Sequence, residues 1–102
     1  MYKLHDQGVT FFVFDNGTLH LGLETFDDKS QSYVASSLTF LGVEGFTIDG
    51  ISASTATAVY VDGEVIHYSA DNGHAQLIIQ WNDFKNKAHV TKSYTFKFSQ
   101  VK

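Results

Sequence analysis

The 102-residue chain contains no cysteine, no proline and no arginine. Without cysteine it can form no disulfide, no thiolate zinc site, no iron–sulfur cluster and no thiol nucleophile, which fits a reducing compartment. Without proline, no segment is barred from a central strand by a missing backbone donor. Without arginine, all seven cations are lysine, and the planar fork that reads phosphates and guanine edges is missing, so nucleic acid is not an expected partner. No stretch comes near the roughly eighteen apolar residues of a membrane span. The first residues, Met1 to Gly8, have neither a basic start nor an apolar centre, so no signal peptide is expected and the protein is read as cytoplasmic.

What the chain does have is apolar material: 43% hydrophobic and 15% aromatic residues. That is enough for a core at a length that makes a single domain over residues 1–102, with no metal, cofactor or crosslink needed for stability. The formal charge of −4 hides a segregation. Residues 1–83 carry −9 and residues 84–102 carry +5, the latter with five lysines and no acid. Such asymmetry is either the ordinary charge of a soluble surface or the footprint of a basic partner.

Period-two alternation recurs and helical periodicity is nearly absent, so the fold is expected to be all-β. Val9 to Asp15 and Thr18 to Glu24 flank Asn16-Gly17, a dipeptide suited to a type I′ turn. That loop sets Phe14 opposite Leu19, Phe12 opposite Leu21 and Thr10 opposite Leu23 as a core row. The other row pairs Val13 with His20 and Phe11 with Gly22, where the ring can cover backbone exposed by glycine. This second row is read as core covered by a loop, with an interface anchor as the alternative.

A second hairpin is expected at Asp62-Gly63, joining Ala58 to Val61 with Glu64 to Ser69 and setting Val59 opposite Ile66. A third at Asn72-Gly73 leads into Ala75 to Trp81, where Leu77, Ile79 and Trp81 share a face. His89 to Ser99 is a strand with Val90, Tyr94, Phe96 and Phe98 on one side. Asp28 could cap a short helix through Ser37, but the composition of Tyr33 to Leu41 favours a strand. Phe46 to Asp49 follows, then Ile51 to Thr57 as a loop or weak edge strand. Seven or eight antiparallel strands suggest a β-sandwich built from hairpins, with a small barrel as the alternative.

Catalytic chemistry finds little support. The five histidines follow no metal-ligand spacing, and His74 opposite Asp71 leaves His67 too far along the ladder to share an ion. Gly50-Ile51-Ser52-Ala53-Ser54 lacks the closing glycine of a nucleophile elbow. Asp27-Asp28 are neighbours that point apart, unlike a glycosidase pair. Neither a GxGxxG nor a Walker loop occurs, and Trp81 shares parity with core residues. No enzyme activity, metal or cofactor is expected.

The segment Phe12-Val13-Phe14-Asp15-Asn16-Gly17-Thr18-Leu19-His20-Leu21, followed by Leu38-Thr39-Phe40-Leu41-Gly42-Val43 on a short, acidic, cysteine-free chain, resembles small all-β immunity proteins of bacterial polymorphic and contact-dependent toxin systems. The resemblance covers about the first half of the chain and lies in pattern rather than in an invariant motif. It implies a protein that binds a cognate toxin, commonly a basic nuclease, and occludes its active site. The lysine-rich last strand departs from a uniformly acidic picture. A free chain is expected to be a monomer, without membrane or nucleic-acid partners. A carbohydrate- or ligand-binding module, and a structural subunit of a phage or surface assembly that uses an edge strand, are the alternatives.

The expected partner-binding residues are Glu24, Asp27, Asp28, Asp49 and Asp71 as acids, with Phe11, Val13 and His20 as the anchor row. If residues 42–45 reverse the chain, those acids converge on one end of the fold. If Gly42 and Gly45 only bulge one long strand, Asp49 and Asp71 move away from the others.

Overall fold

Alternation of apolar and polar residues resolves into ten antiparallel strands, with no helix, among residues 7–57 and 62–102, the residues described by a computed structural model. The strands are β1 (Gly8–Asp15), β2 (Thr18–Asp27), β3 (Ser32–Leu41), β4 (Glu44–Ile48), β5 (Ile51–Ser52), β6 (Ala56–Thr57), β7 (Asp62–Asp71), β8 (His74–Asp83), β9 (Ala88–Lys97) and β10 (Gln100–Val101). They form one sheet in the order β10-β3-β2-β1-β7-β8-β9-β4-β5, with β6 paired to β1. Two three-stranded meanders, β1-β2-β3 and β7-β8-β9, join where Gly8 and Val9 pair with Glu64 and Gly63. Past β9 the chain bends at Phe98 and Ser99, and β10 pairs with Phe40 and Leu41 of β3.

The inward rows of both meanders make the core. Phe12, Phe14, Leu19, Leu21, Leu23, Leu38 and Phe40 come from the first, and Val65, Leu77, Ile79, Trp81, Tyr94 and Phe96 from the second. Phe46 of β4 joins them, stacked on Phe14 with ring centroids 4.1 Å apart. Each such large side chain contributes roughly 1.5–3 kcal/mol through burial. The indole N–H of Trp81 donates to the Tyr94 hydroxyl at 2.9 Å, so the largest buried ring keeps a polar partner. Trp81 is therefore core, as its parity with Leu77 and Ile79 indicated.

Turn chemistry accounts for three hairpins. Asn16-Gly17, Asp49-Gly50 and Asn72-Gly73 each have positive φ at both residues, as a type I′ turn requires. Asp62-Gly63 is a correction. Both residues lie inside β7, opposite Asn82 and Trp81 of β8, and make no turn. Gly63 is needed for space, because a Cβ there would sit 2.7 Å from the Trp81 ring. The strand expected over Ala58 to Val61, with the Val59 pairing, lies outside the described residues.

One register differs, and the neighbouring segments have local causes of their own. Thr10 does not oppose Leu23; a bulge between Val9 and Phe11 puts the buried Val9 there instead. The strand favoured over Tyr33 to Leu41 is present as β3, and the helix weighed against it after Asp28 does not form, because residues 28–31 make a tight turn between β2 and β3. The stretch from Ile51 to Thr57 holds two short strands, β5 and β6, on different neighbours. Residues 42–45 make no hairpin, since β3 pairs with β2 and β10 while β4 pairs with β5 and β9. The chain crosses there from one meander to the other, anchored by the Val43 N–H donating to the Gly17 carbonyl at 2.8 Å.

Candidate binding face on the first three strands

Because paired residues in an antiparallel ladder share a face, the register fixes what the outer side of β1-β2-β3 presents. One cross-strand row is Val13, His20 and Thr39; the next is Phe11, Gly22 and Ser37; then Gly8, Glu24 and Ala35; and last Phe26 with Tyr33. Four of the expected site residues, Phe11, Val13, His20 and Glu24, thus come together on one surface. Phe11 is 44% exposed, which overturns the reading of this row as core. Its ring lies over Gly22, where an added Cβ would collide with the ring and with the Thr10 hydroxyl. The glycine therefore lets an aromatic lie flat on the sheet.

Two residues not expected from the sequence complete the face. Phe26 and Tyr33 pair across β2 and β3, their rings edge to face with centroids 5.3 Å apart, and are 45% and 66% exposed. Between their row and that of Phe11 lies the row of Gly8, Glu24 and Ala35, in which the Glu24 side chain runs over Gly8. The result is a face with aromatic rings in the rows on either side of one carboxylate. Such a surface suits a cationic side chain, which can stack on a ring while pairing with Glu24. Continued parity was the available signal: Phe26 follows His20, Gly22 and Glu24 in steps of two, but ending β2 at Glu24 hid it.

This part of the hairpin projects beyond the core. Residues 32–37 are exposed on both faces, including Val34, whose parity is that of the buried Leu38 and Phe40. Asp27 and Asp28 sit at the tip. Both oxygens of the Asp27 carboxylate are engaged in building the turn, accepting from the Lys29 N–H at 3.1 Å and the Ser30 hydroxyl at 2.9 Å. Asp28 is exposed and takes part through its carbonyl, which accepts from the Gln31 side-chain amide at 2.6 Å.

The expected convergence of five acids is not found. β3 spans ten residues, roughly 30 Å at about 3.3 Å per residue, from the acidic tip to Leu41. At that far end the Ser99 N–H donates to the Leu41 carbonyl, and the adjacent Phe98 N–H donates to the Gly73 carbonyl. The Asn72-Gly73 turn that carries Asp71 therefore lies a strand's length from Asp27 and Asp28. Asp49 is used internally: its N–H donates to the Ser93 carbonyl at 2.7 Å and its carboxylate accepts from the Ser93 N–H at 2.8 Å. Residues 42–45 do not reverse the chain, which is why these two acids separate from the rest.

Elsewhere, Asp71, His74, Thr95 and Lys97 line an open groove of mixed charge beside the Asn72-Gly73 turn. Among the described residues no group of three or more metal-ligating side chains comes together. Neither a protein-family model nor a curated protein nor a solved structure matches the chain.

Proposed function

We propose that this protein is a cytoplasmic immunity-type inhibitor that binds a basic protein toxin, with a nuclease as the leading class, and occludes its active site without making or breaking bonds. The observation that carries this reading is the projecting β2–β3 hairpin, where exposed Phe26 and Tyr33 stand beside Glu24 and the acidic tip of Asp27 and Asp28. Exposed aromatics flanked by charge are the composition of an interface anchor, and carboxylates of one sign steer a basic partner. Glu24 and Asp28 replace the five-acid cluster as the electrostatic element, with Phe11, Val13 and His20 extending the anchor along the same face.

The test is association with a basic toxin domain encoded beside this chain, followed by surface binding at several salt concentrations. Fast, salt-sensitive association that protects the toxin's substrate supports the proposal; no association overturns it. A second reading, carbohydrate binding through Phe26 and Tyr33, rests on the same exposed rings. Saturable glycan binding unaffected by salt would favour it.

A further inference from the structure

The Asn72-Gly73 hairpin sets polar side chains in two rows across β7, β8 and β9. Residues paired across an antiparallel ladder share a face, so Asp71, His74 and Lys97 make one row and Ser69, Gln76 and Thr95 the next. Both rows lie on the outer face, since Ala75 and Phe96 between them are buried in the core. The register of β4 with β9 shifts between Glu44 and Thr47, and Gly45 sits in that shift with φ +63 and open space where a Cβ would stand. The result is an open groove of about 710 Å³, lined by both rows and by Gly45. That volume lies within the roughly 300–1,000 Å³ of small-ligand sites.

The polar groups in the groove are not engaged by the protein. The carboxylates of Asp27, Asp49, Asp62 and Asp83 all accept hydrogen bonds from their own turn or from a neighbouring strand. Among the described residues the side chains of Asp71, His74, Gln76 and Lys97 have no such partner, and Lys97 pairs neither with Asp71 nor with Glu44 opposite it on β4. His74 stands between the two charges of its row, and two strand spacings of about 4.8 Å put the Cα atoms of Asp71 and Lys97 roughly 10 Å apart. A negative charge at one end and a positive charge at the other, with neutral donors and acceptors alongside, complement a ligand that carries an ammonium, a carboxylate and amide groups between them.

We propose that this groove binds a short zwitterionic peptide of two or three residues, lying across β8 with its ammonium at Asp71 and its carboxylate at Lys97. An extended chain covers at most about 3.3–3.6 Å per residue, so three residues match the span and a single amino acid does not. Charge-assisted hydrogen bonds hold the two ends. Between them the Gln76 amide both donates and accepts, as a peptide group requires, and Ser69 and Thr95 flank it with hydroxyls. The groove lies a strand's length from the acidic tip of the β2–β3 hairpin, and its assignment does not rest on the toxin reading.

Titration of the full chain with triglycine, followed through backbone amide resonances, tests the proposal. Saturable shifts are expected at residues 69–76 and 95–97, with a dissociation constant of about 1 mM. N-acetyl-triglycine lacks the ammonium and triglycinamide lacks the carboxylate, and each should bind about tenfold more weakly or worse. Asp71→Asn should abolish the discrimination against the acetylated peptide and keep that against the amide, and Lys97→Gln should do the reverse. Both positions are exposed, so circular dichroism should be unchanged in either variant. Shifts that do not saturate up to about 20 mM, shifts confined to other parts of the chain, blocked peptides that bind as well as triglycine, or discrimination that survives both substitutions would each overturn the proposal.

Discussion

Phe11 and Gly22 are expected to act as one unit, and a double-mutant cycle measures it. Phe11 is 44% exposed, so a little over half of its surface is covered. Since full burial of a phenylalanine is worth about 1.5–3 kcal/mol, Phe11→Ala should cost about 1–1.5 kcal/mol. Its neighbour Phe12 is 1% exposed and packs against Phe46, Trp81 and Tyr94, so Phe12→Ala should cost about 3–5 kcal/mol. Gly22→Ala puts a methyl group where the Phe11 ring lies, lifting the ring off the sheet and costing about 1–2 kcal/mol. In the Phe11→Ala background the ring contact is gone and only the contact with the Thr10 hydroxyl remains, so the cost of the methyl falls, and replacing a strand glycine offsets roughly 0.5–1 kcal/mol of it. The double variant should therefore be more stable than the sum of the single effects by about 1 kcal/mol or more. Urea unfolding followed through Trp81, the single buried tryptophan, supplies the free energies. Additivity within about 0.5 kcal/mol, or a Phe11→Ala cost of about 3 kcal/mol, would refute the reasoning.

Gly63 and Gly50 should respond to substitution in opposite order. At Gly50, with φ +84 and no atom within 4 Å of an added Cβ, Asn should be milder than Ala because asparagine tolerates the left-handed region. At Gly63, packed on Trp81, the larger Asn should be the more destabilising by about 1 kcal/mol or more; thermal melts decide both. Neutralising Glu24 and Asp28 to their amides should slow association with a basic partner about tenfold at low salt and have little effect at about 1 M, where the screening length is about 3 Å. Asp49→Ala and Asp71→Ala should leave that rate unchanged, with Asp49→Ala instead lowering stability by about 1–2 kcal/mol through the lost bond to the Ser93 N–H.

The first hairpin was legible because Asn16-Gly17 fixes its register and every second residue declares a face. The core of β8 and β9 was legible for the same reason. Asp62-Gly63 misled because a glycine facing a large ring and a glycine in a turn look alike along the chain; the difference lies in Trp81, eighteen positions later. The acid convergence failed at residues 42–45, where a glycine pair serves a crossing between meanders that local chemistry does not specify. Phe26 and Tyr33 were hidden by the opposite effect. Their hairpin continues past the core, and alternation alone does not say where burial stops.

Everything proposed about recognition rests on the outer face of the β2–β3 hairpin being an interaction surface and not a structural one. The most direct measurement is the dissociation rate of a basic toxin domain from the Phe26→Ser, Tyr33→Ser double variant, taken together with its melting temperature. Phe26 is 45% and Tyr33 66% exposed, so removing both rings should cost about 1.5–2 kcal/mol of stability and lower the melting temperature by about 10 °C, while loss of about 2 kcal/mol of anchoring should speed dissociation about thirtyfold. An unchanged dissociation rate, or a loss of binding that merely tracks unfolding, would contradict the account.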